Sequence, residues 1–154
     1  MTPESQRPTA HATIDVLNGP NLGRLGTRQP EVYGTTTLAE IERSCRGAVA
    51  PAEIRFRQSN AESDLIGWIH DAVDAGVDGI VINPAAYAFT SIAIVDALKM
   101  FEGPIIELHI SNPMRRESYY HHSLVAGVAT ATIAGLGARG YPIAVSSILG
   151  LCPR

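Results

Sequence analysis

Tyr33 and Arg28 lie in one loop and together suggest proton abstraction. A free tyrosine loses its proton only near pH ~10 and is a poor base at neutral pH. A cation at about 4 Å, at an effective dielectric of ~20, would stabilise a phenolate by roughly 4 kcal/mol. The alternative is that Tyr33 packs the loop and Arg28 is solvated, and spacing leaves both open. Glu107 and His109 stand two apart in an apolar run, so a strand would turn both to one face. A charge inside such a strand is costly unless paired. The carboxylate could orient the imidazole as a general acid, or the two could form a buried structural pair. Asn21 and Asn83 could hold an oxyanion or merely satisfy loop backbone. Arg115 and Arg116 could close over a site and grip a carboxylate or hydroxyl, or be surface charge. His121 and His122 fit a lid or a helix end better than a metal site.

Positioning these groups falls to a β/α alternation. Apolar runs predict strands at residues 13–17, 53–58, 79–83, 104–110 and 128–133. Helical spacing predicts helices at residues 37–49, 61–75, 91–100 and 141–149. Thr37 with Glu40, and Ser59 with Glu62, read as capping boxes. Gly76 reads as a helix stop. Such alternation means a parallel sheet with helices on both faces, in one domain. The EIRFRQ run alternates in polarity and is read as an edge strand, whereas GIVIN is apolar throughout and is read as central. Ligands of these sheets sit beyond the carboxyl ends of the strands. Those ends carry Asn18, Gln58, Ser59, Asn83, His109, Ser111 and Asn112, which suits a polyoxygenated small molecule. The long connection over residues 17–34 lies at this end and holds Asn18, Asn21, Arg24, Arg28 and Tyr33.

Length and composition narrow the classes further. The chain has 154 residues, 45% apolar and 18% charged, which is enough for one well-buried core. The formal net charge is −3 and no basic block occurs, so nucleic acid is not an expected partner. Cys45 and Cys152 lack metal-ligand spacing. The glycines at 19, 23 and 26 match neither a dinucleotide fingerprint nor a Walker A loop. No run reaches membrane-spanning length, and a cytoplasmic compartment is the default expectation. Residues 1–12 read as a loose tail ahead of a domain over 13–154.

Four stretches in order, LNGPNLGRLGTRQPEVYG, INPAAYAFTSIAIVDAL, IIELHISNP and RRESYYHHSLVAGVATATIAGLGARGY, resemble the signatures of type II 3-dehydroquinate dehydratases. The resemblance spans residues 13–145 and implies a flavodoxin-like fold, a five-stranded parallel sheet and a dodecamer built as a tetramer of trimers. It implies removal of water from 3-dehydroquinate to give 3-dehydroshikimate, with no metal or cofactor. On this resemblance Tyr33 is the base, Arg28 stabilises its phenolate, and Asn21 with a water stabilises the enolate. His109 protonates the departing hydroxyl, oriented by Glu107. Asn83, Ile110 and Ser111 hold the substrate carboxylate, Asp96 reaches in from a neighbouring subunit, and Arg116 belongs to a lid.

Three positions depart from the pattern. Phe89 stands where the family usually has histidine, Val95 where it has arginine, and Tyr120 where it has a second lid arginine. The first and third ordinarily bind ring hydroxyls. Losing two charge-assisted hydrogen bonds would cost roughly 3–6 kcal/mol, or about 10²–10⁴ in kcat/KM. Three readings follow: the usual dehydratase, a relative acting on a cyclic hydroxyketone with an altered polar group, or a non-catalytic binder on the same scaffold.

Overall fold

A computed structural model describes residues 11–153. Five parallel strands form one sheet: β1 (Thr13–Asn18), β2 (Glu53–Gln58), β3 (Gly79–Asn83), β4 (Ile105–His109) and β5 (Ala131–Ala134). Their spatial order is β2-β1-β3-β4-β5, the flavodoxin-like order. The helices are α1 (Pro30–Tyr33), α2 (Leu38–Val49), α3 (Glu62–Ala75), α4 (Ile92–Leu98) and α5 (Gly140–Leu151). Because both sheet faces are covered, alternate strand residues feed two cores. Ile14, Val16, Val81, Ile106 and Leu108 pack with Ile41 and Cys45 of α2 and Tyr141, Val145 and Ile148 of α5. Leu17, Ile80, Ile82 and Ile105 pack with Leu65 and Ile69 of α3 and Ile94 and Leu98 of α4. β2 is the edge strand its alternation predicts, and β3 is central and buried along its whole length.

The edge strand also explains an ion cluster. Asp15 of β1 is fully buried beside Arg55 (2.7 Å) and Arg57 (3.0 Å) of β2. Burial pushes its carboxyl above the ordinary range, while the two guanidiniums pull the other way.

The Thr37–Glu40 capping box forms in both directions. The Thr37 side chain accepts from the Glu40 N–H, and the Glu40 carboxylate accepts from the Thr37 N–H at 2.7 Å. The expected box at Ser59–Glu62 does not form. The N-cap of α3 is Ala61, which has no side-chain acceptor, so Ser59 lies two residues too early. Its hydroxyl instead accepts from the Ala61 N–H (3.0 Å) and donates to Asp64 (2.5 Å). Gly76 ends α3 at φ 62°, where glycine is favoured. β5 starts three residues later than expected, because the N–H groups of Val128 and Ala129 close a turn onto the Val125 carbonyl. No α-helix joins β4 to β5. Three 3-10 turns do so, Pro113–Arg115, Ser118–Tyr120 and Val125–Gly127. The expected tail over residues 1–12 lies mostly outside the described residues. Its last member belongs to the fold: Ala12 is buried and its carbonyl accepts from the Glu53 N–H.

Candidate active site

The cleft lies at the carboxyl ends of β1, β3 and β4, under the 17–34 loop and the segment after β4. Ten of the residues singled out in the sequence line it: Asn21, Arg28, Tyr33, Asn83, Phe89, His109, Ile110, Ser111, Arg116 and Tyr120. Glu107 lies behind His109, and Asp96 is exposed on α4 outside this cleft.

His109 and Glu107 form the pair that their spacing predicts. Nε2 of His109 lies 2.8 Å from a Glu107 carboxylate oxygen, and both side chains are buried. With Nε2–H given to the carboxylate, Nδ1 is the nitrogen left for a ligand. Glu107 bonds in addition to the Ser123 hydroxyl.

Tyr33 ends the short α1 helix, which Pro30 starts and Gly34 caps. Two cations address it, and their division of labour differs from expectation. Arg28 stacks on the ring, with its guanidinium carbon 4.4 Å from the centroid. Arg116, 83 residues on, donates to the phenol oxygen at 2.8 Å. Arg28 lies five residues before Tyr33 in the same loop, whereas Arg116 comes from the turn after β4. Arg115 does not line the cleft. His121 braces the Arg116 carbonyl through Nε2 at 2.7 Å.

The cleft floor is strained backbone. Asn21 (φ 68°), Gln29 (φ 34°) and Ala85 (φ 51°) are non-glycine residues in the left-handed region, and two of them line the cleft. Asn60 holds one such turn by accepting from the Asn21 N–H at 2.9 Å. The loop also passes so close to the next that a Cβ on Gly19 would lie 2.5 Å from the Pro84 carbonyl oxygen.

Not all of the polar strand ends reach the ligand side. Asn18, Gln58, Ser59 and Asn112 lie off the cleft. Gln58 braces the Gly19 carbonyl, and Asn112 caps the Pro113–Arg115 turn. Asn18 joins a buried relay. The Tyr141 hydroxyl donates to its Oδ1 at 2.7 Å and accepts from Asn83 Nδ2 at 2.8 Å. Burial raises the Tyr141 hydroxyl well above its ordinary range, so this phenol stays protonated and structural. Asn83 is therefore oriented, with Oδ1 also accepting from the Ala85 N–H. Asn60, Ser123 and Tyr141 were not singled out in the sequence. Only Tyr141, a phenol in the mostly apolar α5, carried a signal.

Phe89 and Tyr120 pack edge to face, with centroids 5.3 Å apart at 80°, and Phe89 lies 5.7 Å from the His109 ring. Arg116 stacks on Tyr120 at 4.2 Å. Two of the three departures from the expected pattern therefore form one aromatic wall. Neither thiol resembles a nucleophile, since burial pushes Cys45 up to about 12. Among the described residues, no group of three or more His, Cys, Asp or Glu could hold a metal ion, and no helix is long and apolar enough to cross a membrane.

The arrangement pairs a cation-flanked phenol with a carboxylate-backed imidazole in one cleft, which suits proton removal and return on a single small molecule. Comparison with known proteins agrees. Residues 12–149 match the family model described as dehydroquinase class II. A 3-dehydroquinate dehydratase of Cereibacter sphaeroides is 54% identical over 142 residues, covering 91% of this chain and 96% of that one. The type II dehydroquinase of Propionibacterium acnes superposes with a TM-score of 0.83 at 45% identity, covering 91% of this chain and 99% of that one. That of Butyrivibrio crossotus gives 0.85 at 38% identity, covering 90% and 98%. The cleft, the strand order and these matches converge, and the chain belongs to the class II dehydroquinase family.

Proposed function

We propose that this protein is a 3-dehydroquinate dehydratase of the shikimate route. The observation that carries the reading is Tyr33, held at its hydroxyl by Arg116, sharing one cleft with the Glu107-backed His109. The Tyr33 phenolate takes a proton alpha to the substrate ketone. The enolate oxygen is stabilised at Asn21, whose side chain lines the cleft. The enolate re-forms the ketone as the β-carbon–oxygen bond breaks, and His109 gives the leaving hydroxyl its proton, releasing water and a conjugated enone. Arg116 and Arg28 place positive charge beside this phenol. Asn83, Ile110 and Ser111 hold the substrate carboxylate at the ends of β3 and β4, where the Asn83 amide is already oriented by Tyr141. Neither metal nor cofactor enters these steps.

The protein works as a dodecamer in the cytoplasm, and Asp96, exposed on α4, serves a neighbour's cleft. Sedimentation velocity tests the assembly.

Incubation with 3-dehydroquinate, followed by ultraviolet absorbance of the enone product, tests the function. Robust turnover is expected. A second reading is favoured by the Phe89–Tyr120 wall: a cyclic hydroxyketone with a different polar group at that end. A folded oligomer that leaves 3-dehydroquinate untouched would transfer the assignment to it. Binding without turnover on any ring ketone, unchanged in Tyr33→Phe, would mark a binder.

A further inference from the structure

The segment after β4, which sends Arg116 to the phenol, also sends a hydrogen bond to the acid pair. Ser123 lies just before the Val125–Gly127 turn and does not line the cleft. Its position is held from both sides. The Leu124 N–H donates to the Ala88 carbonyl at 2.8 Å, and Val125 is fully buried in the core beneath α3 and α4. The Ser123 oxygen accepts from the Ala126 N–H at 3.2 Å. Its single hydrogen is thereby directed to Glu107, where it meets the same carboxylate oxygen, Oε1, that receives His109 Nε2. The other oxygen, Oε2, is buried with no partner among the described residues. Without Ser123 the imidazole would be the only hydrogen-bond partner of this carboxylate among the described residues. A carboxylate fixed by a second donor orients the ring it bonds more sharply.

We propose that Ser123 is a positioning residue, whose hydroxyl locks the Glu107 carboxylate so that Oε1 aligns His109 Nε2 and turns Nδ1 to the cleft. The role as an aid to turnover rests on the dehydratase reading above, while the alignment itself does not.

Steady-state kinetics on 3-dehydroquinate with Ser123→Ala, Ser123→Thr, Glu107→Ala and the Ser123→Ala/Glu107→Ala double variant form the test. Ser123→Ala is expected to lower kcat about tenfold with KM within about twofold. Ser123→Thr, which keeps the hydroxyl, is expected to restore most of kcat. In the Glu107→Ala background, Ser123→Ala is expected to cost less than about twofold, because the group it acts through is gone. An equal loss in both backgrounds, or an unchanged kcat in Ser123→Ala, would overturn the proposal. Nitrogen-resolved NMR of the His109 imidazole, assigned with His109→Asn, needs no substrate. An exchange-protected ring N–H in the parent protein and Ser123→Thr, lost in Ser123→Ala, supports the role even where 3-dehydroquinate is not turned over. Its persistence in Ser123→Ala refutes it. Ser123→Cys, nearly isosteric and a weak donor, covers the case in which the alanine variant does not fold, and should lose the same signal.

Discussion

The two ends of the cleft are built in opposite ways. At the acid end, Glu107 and His109 stand on one strand and are almost wholly buried. Strand pleat alone puts them on one face, and β3 and β5 hold that strand from both sides. At the base end, Tyr33 ends a four-residue helix inside a loop, and its hydroxyl partner Arg116 follows a 3-10 turn on another. One end inherits its geometry from the sheet. The other needs two irregular segments to meet, with Gln29 in a left-handed turn at the start of α1 and His121 bracing the Arg116 carbonyl. A site of this kind takes rigidity from regular structure where a pair must stay aligned. It uses loops where a charge must approach a reacting atom.

Substitutions at the two ends should break this comparison by different amounts. The largest effect is expected for Tyr33→Phe, which removes the base itself: kcat should fall by about 10³-fold or more with KM little changed, in the enone absorbance assay. Glu107→Ala should cost about 10²-fold in kcat and also lower the melting temperature, since it leaves a cavity and an unpaired imidazole and hydroxyl in a buried site. Arg116→Ala should cost about 10- to 100-fold, the worth of one charge-assisted hydrogen bond at the phenol. Equal losses for Arg116→Ala and Arg28→Ala would show that charge near the ring, rather than contact with the hydroxyl, is what matters. At the aromatic wall, Phe89→His with Tyr120→Arg should raise kcat/KM on 3-dehydroquinate by up to about tenfold. No gain would mean that these positions do not read the ring hydroxyls. The smallest catalytic effect is expected from Tyr141→Phe, which strips the Asn18–Asn83 relay of its bridge. It should destabilise the fold by about 1–3 kcal/mol in urea titration while raising KM only a few-fold.

Particular residues show what was legible in advance. The strands over residues 53–58 and 79–83 were readable to the residue, because alternation marks an edge and an unbroken apolar run marks a centre. The Thr37–Glu40 box was readable because it is closed by local bonds. Ser59–Glu62 has the same pattern and fails, since α3 starts two residues later, with Ala61 as its N-cap. The pairing of Arg116 with Tyr33 left no periodic trace. Nor did Ser123 on Glu107, whose contact depends on how three successive 3-10 turns fold back.

The sequence by itself determined the β/α alternation, the ligand end of the sheet, the Glu107–His109 pair and the family. Each rests on short-range periodicity or on residue types in order, and a chain carries both without folding. Only the tertiary structure decided which cation touches the phenol, which polar strand ends face the cleft and which merely brace it. It also joined Phe89 and Tyr120 into one wall. These depend on where side chains far apart in the chain come to rest, and close packing of two cores around one sheet settles that.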